Sequence, residues 1–179
     1  IFFYSARCSS CHSGDLFTDQ GFHALGLPAF GPGRTRRFDP IPRDVGRMGK
    51  SDLLEDAYRF RTPSLRNAAL TGPYGHNGAF PTLHAMIKHH ADPAASRAAW
   101  RLSDANLPDV PWIAAVDGAI GQDAAEMRRQ SATHDLRPMS LTDAEITDLV
   151  AFINALTGKT AETRPFGRPE TVPSGIFVD

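Results

Sequence analysis

The chain has 179 residues, 41% of them hydrophobic, with a formal net charge of −1 and an isoelectric point near 6.7. That length suits one domain with its own buried core, and the near-neutral charge excludes a protein that grips nucleic acid by electrostatics. No apolar run approaches the roughly 20 residues of a membrane span, and 15 Gly with 14 Pro imply long loops.

Residues 1–12 (IFFYSARCSSCH) read as a helix ending at a cysteine pair. It opens without a cap, an initiator Met or a basic segment ahead of an apolar one. The expectation is that residue 1 lies inside an element whose upstream part is missing, so the lack of a signal peptide says nothing about compartment. Residues 13–50, rich in Gly, Pro and Arg, read as a long wrapping loop with room for one helical turn. Residues 52–60 (DLLEDAYRF) fit a short helix, and turns follow at GPYG and HNG. Thr82, with Pro81 just outside, is placed to cap a helix through His90. Residues 91–121 read as irregular, broken by Pro93, Pro108 and Pro111, and QDAAEMRRQ as a short helix. The clearest helix is 143–157. Thr142 and Glu145 make a capping box, Ile146, Leu149, Val150, Ile153 and Leu156 follow helical spacing, and Gly158 stands where a C′ glycine belongs. The tail from 164 reads as an extended strap. With no alternating strand pattern and no internal repeat, the class is mainly α with long loops, in one domain over 1–179.

Cys8 and Cys11 are the only cysteines, and His12 follows at once. Cys-x-x-Cys-His is the attachment signature of c-type haem. On a helix, positions i, i+3 and i+4 share a face. Two thiols then reach the haem vinyl groups while His12 addresses the iron. A thioredoxin-like dithiol follows a strand, and no βαβ pattern is visible. A zinc site wants about four ligands, and adjacent residues 11 and 12 suit a tetrahedron poorly. A disulfide across two residues closes a strained loop.

Seven histidines are present. In TLHAMIKHH, Leu83, Met86, Ile87 and His90 recur at i, i+3, i+4 and i+7. The apolar stripe therefore ends on an inward-facing imidazole, for which haem iron is one partner and a backbone carbonyl in the core is another. His84 and His89 fall off the stripe and are expected in solvent. Met86, one turn earlier, and Met139, in the loop before the last helix, are rival iron ligands, with core packing the ordinary alternative for a methionine.

FFYSARCSSCHSGDLFTDQGFHALGLP, DVGR, YRFRTPSLRNAALTGPYGHNGAFPTLHAMIKHH, MSLTDAEITDLVAFINALTG and GRPETVPSGIFVD together resemble the C-terminal haem domain of the di-haem cytochrome c peroxidase and MauG family. The likeness runs from the first residue to the last and is weakest over 92–137. It implies a cytochrome-c-like helical fold with one covalent haem c on this chain and a second haem in an absent N-terminal domain or subunit, where peroxide reacts. The family's sixth ligand, Met in the peroxidases and Tyr in MauG, falls on His90 here. The resemblance also implies a calcium ion between domains, held partly by the carbonyls of Thr71 and Pro73, and a place near the haem for His76, for which a structural turn is the alternative. Arg61 and Arg66 are candidates for the haem propionates, since Arg forks suit carboxylates; exposed loop arginines are the other reading.

With imidazole on both faces, this iron has no open position, so its expected work is electron relay. Met raises haem potential relative to His, so a bis-His haem should sit low and share oxidising equivalents with a second haem. An electron donor or protein substrate is the expected partner, and haem c attachment points to the periplasm. The alternative is a mono-haem carrier, which a single haem per polypeptide would reveal.

Overall fold

The best-patterned stretch of the sequence forms the longest helix. In the computed structural model the described residues are 1–33, 35–39, 43–108, 110–161, 163 and 171–175. The last long helix, Asp143–Ala155, starts on the expected capping box: the Thr142 hydroxyl accepts from Glu145 N at 3.3 Å, and the Glu145 carboxylate accepts from Thr142 N at 2.7 Å. Ile146, Leu149 and Ile153 are buried along one face, each side chain contributing about 1.5–3 kcal/mol. Its end differs from expectation. Leu156 is the cap in right-handed backbone, and Gly158 has no positive φ; its amide donates to Asn67 Oδ1 at 2.8 Å.

Six further helices precede it among the described residues: α1 (Phe2–Ser5), α2 (Met48–Ser51), α3 (Leu83–Ala91), α4 (Pro93–Ala99), α5 (Ala114–Ala119) and α6 (Ala124–Ala132), which makes Asp143–Ala155 α7. The helix expected over 1–12 is cut to one turn, because Arg7 adopts left-handed backbone at φ 57° and Cys8–Ser10 continue as a 3₁₀ turn. The helix expected over 52–60 is absent. Asp52, at φ 62°, stops α2, Leu54–Asp56 form a 3₁₀ turn, and Phe60–Arg61 become a strand. This strand, β2, pairs antiparallel with β1 (Phe22–His23), setting Phe22 opposite Arg61 and His23 opposite Phe60. Residues 91–121 are more ordered than expected. Asp92 accepts from Ala95 N at 2.9 Å and Pro93 opens α4, where a proline without N–H costs nothing. Thr82 caps α3, and Asp123 caps α6. Most of the tail read as a strap lies outside the described residues.

α1 packs on α7, and α3 packs on both α4 and α7. Phe3, Phe17 and Phe152 form the α1–α7 joint, with ring centroids 4.9 to 6.0 Å apart. Leu27, Ala79 and Phe80 make one core cluster, with Met86 and Trp100 against it; Val45, Met48 and Tyr58 make another. Beneath α6 the fully buried Glu126 carboxylate accepts from Arg43, Tyr58, Arg129 and Gln130.

Candidate functional site

The Cys8–His12 stretch folds as a single tight turn. Cys11 N and His12 N both donate to the Cys8 carbonyl, at 3.3 and 2.9 Å, so the three side chains still issue from one turn although the long helix is missing. The thiols are not bonded to each other, and both are half-buried. Burial raises both thiol pKa values, which keeps them protonated at neutral pH. The FRTPS segment braces the turn's exit: Thr18 Oγ1 donates to Thr62 O at 2.7 Å, Thr62 N to Gly21 O at 2.9 Å, and Ser64 Oγ to Leu16 O at 2.6 Å.

His12 Nδ1 donates to the Phe17 carbonyl at 3.0 Å. A carbonyl only accepts, so the proton sits on Nδ1 and the lone pair on Nε2. His90, on α3, repeats the device: Nδ1 donates to the Met86 carbonyl one turn back, at 2.9 Å, and Nε2 has no hydrogen-bond partner among the described residues. Burial lowers both imidazole pKa values, and the nearby charge of His12 further opposes protonation of His90. Burial thus favours the neutral form of both imidazoles, which come from separate elements, and each has its Nδ1 held by a carbonyl, the arrangement that orients histidine ligands to metals. A cavity of about 700 Å³ runs along α1, α7 and one side of His12, lined by Phe3, Phe17, Leu149 and Phe152; neither thiol nor His90 lines it. The donor set fits a covalently attached haem: two unpaired thiols in one turn and two Nε2 lone pairs.

No protein-family model matches the chain. It is 30% identical over 155 residues to the methylamine utilization protein MauG of Methylophilus methylotrophus, an alignment covering 86% of this chain and 33% of that protein. A MauG-like protein associated with microbial copper homeostasis matches in structure with a TM-score of 0.62 and 25% identity, over 93% of this chain and 48% of the other. The diheme peroxidase BthA of Burkholderia thailandensis matches with a TM-score of 0.52 and 26% identity, over 88% and 41%. The chain belongs to the di-haem cytochrome c peroxidase and MauG family. It spans about a third of the curated relative's length and about half of the first structure's.

The other candidates sit on several different elements. Met86 packs against Leu27, Ala79 and Phe80, the core role that was the alternative for it. Met139 lies beside the end of α3, its amide donating to Ala91 O at 2.8 Å. Arg66 Nε donates to Asp15 O at 2.7 Å and its guanidinium lies over the Phe17 ring, while Arg61 donates to Gln20; both side chains are exposed. The His76 ring stacks on Phe60 at 3.4 Å and lies 3.8 Å from Asp44, and burial lowers its pKa to about 4. Thr71 and Pro73 are exposed in the turn before it.

His89 corrects the sequence reading. Expected in solvent, it is fully buried, with Nε2 against Leu25 O at 2.8 Å and Nδ1 against Ser96 Oγ at 3.1 Å. A second feature went unread: His23, bonded to Asp19 at 2.8 Å, stands beside Cys11, and the three donor atoms lie within 4.8 Å of one another. The spacing of Asp19 and His23 gives no signal for it, because these residues lie in a loop and in β1 rather than on a helix.

Proposed function

We propose that the chain is one haem-c domain, spanning 1–179, of a di-haem peroxidase or MauG-like oxidoreductase, and that it relays electrons. In this reading Cys8 and Cys11 carry the thioether bonds, and His12 and His90 supply Nε2 to the two faces of the iron. The observation that supports it most is that His12 and His90 both commit Nδ1 to a carbonyl and are both kept neutral by burial, which leaves each Nε2 lone pair for a metal. Bound haem supplies one-electron chemistry at iron. The residues here would hold it and fill its coordination, so peroxide would meet iron elsewhere, at a second haem in an N-terminal domain or subunit. Two imidazoles in place of imidazole and thioether favour a lower potential. Thr71 and Pro73 carbonyls would contribute to a calcium ion between domains. Arg61, Arg66 and His76 would serve the haem edge, an electron donor or protein substrate would dock on the assembled protein, and the periplasm is where such attachment would occur.

Haem staining and intact mass of the full-length polypeptide carrying this chain, produced with the c-type maturation machinery, test the proposal. Two covalent haems are expected, one of them lost in the Cys8→Ala, Cys11→Ala double variant. A polypeptide holding a single haem would favour the mono-haem carrier, and one holding none would end both readings.

A further inference from the structure

The buried His89 stands next to the residue proposed as the sixth ligand, and nothing in the proposed function uses it. Its hydrogen bonds define its state. Leu25 O accepts only, so Nε2 carries the proton, and Nδ1 then accepts from the Ser96 hydroxyl. The ring is fully buried and packs on Phe80 with centroids 5.0 Å apart. Both partners are fixed. Ser96 lies on α4, whose start is capped by Asp92. Leu25 follows Ala24, whose amide donates to Asp135 Oδ2 at 3.1 Å and whose carbonyl accepts from Asp135 N at 2.8 Å; Arg59 in turn holds Asp135 at 2.6 Å. Successive residues on a helix point about 100° apart, and the rings of His89 and His90 are edge-to-face at 6.5 Å.

α3 therefore carries two neighbouring imidazoles, of which only one can face His12. A roll of the helix by one residue would bring His89 to where His90 stands and carry His90 about another 100° away. It would also strand the Leu25 carbonyl, which would lose the N–H it accepts from His89. We infer that His89 is a positioning residue: its two hydrogen bonds, to Leu25 O and Ser96 Oγ, set the roll of α3 and so select the Nε2 of His90 as the iron ligand. The inference rests on the proposed haem ligation.

The test uses the full-length holo-protein and reads ligation directly, by electron paramagnetic resonance of the ferric haem and by its reduction potential. Wild type should show one bis-imidazole low-spin species from this haem; if it shows none, the proposed ligation fails rather than the role of His89. His89→Phe keeps an aromatic ring without hydrogen bonds and should split the signal into several species, high-spin among them. His89→Gln, which keeps a donor and an acceptor, should restore most of the single species. Ser96→Ala, milder for folding, should shift the signal the same way and less. An unchanged signal and potential in Ser96→Ala and in folded His89→Phe would overturn the inference even if both variants melt earlier, because a residue that only stabilises the core would move the melting curve alone.

Discussion

Replacing Glu126 by Gln tests how the loop before the CxxCH brace is held. The carboxylate has no exposed surface and accepts Arg43 Nη1 at 2.6 Å, Arg129 Nη2 at 2.7 Å, Tyr58 Oη at 2.8 Å and Gln130 Nε2 at 3.0 Å. Removing one partner of a buried ion pair costs about 3–5 kcal/mol. Two facts place this site at the lower end: the Arg129 side chain is 48% exposed and regains water, and Arg43 keeps Asp39 at 3.0 Å. A loss of about 3 kcal/mol is expected, or roughly 6–12 °C in Tm for a domain of this size. Urea denaturation at neutral pH measures it. The arginines, Tyr58 and Gln130 hold the carboxyl pKa below its usual range, against the opposing effect of burial. Because the folded value is depressed, the stabilisation is present above about pH 4.5 and lost as pH falls through the folded value. The wild-type and Gln curves should therefore converge in acid. A Gln variant within about 0.5 kcal/mol of wild type, or a gap that does not close at low pH, would refute the reasoning.

Thr142→Ala should cost about 1 kcal/mol by removing the cap of α7, and adding Glu145→Ala should cost less than the sum of the two singles, since both belong to one capping box; denaturant midpoints decide. His76, pushed to about 4 by burial, should show constant ring-proton shifts from about pH 8 to about pH 5 by NMR, where an ordinary histidine titrates near 6.5. Its folded pKa lies below its unfolded one, so it lowers stability as pH falls between about 6.5 and about 4. A midpoint near 6.5 would show the ring to be open to water.

Short-range signals carried the tight Cys8–His12 turn, the α7 capping box and the helix from Leu83 to Ala91 that bears His90. The features that went unread depend on tertiary contacts. His89 is buried by α4, and α4 was hidden because Pro93 reads as a breaker unless Asp92 is known to cap a helix there. β1 and β2 have two residues each, too few for an alternation to register. The first helix stops at Arg7, whose left-handed backbone has no signature in a non-glycine residue. Gly158 looks like a helix terminator but serves as a donor to Asn67, 91 residues away in sequence.

The central claim is that two imidazoles, His12 and His90, hold one iron. The holo-protein carrying His90→Ala tests it most directly by visible absorption and electron paramagnetic resonance. The low-spin signal of this haem should become high-spin and return when free imidazole is added. A low-spin signal that survives the substitution unchanged, without imidazole, would contradict the account.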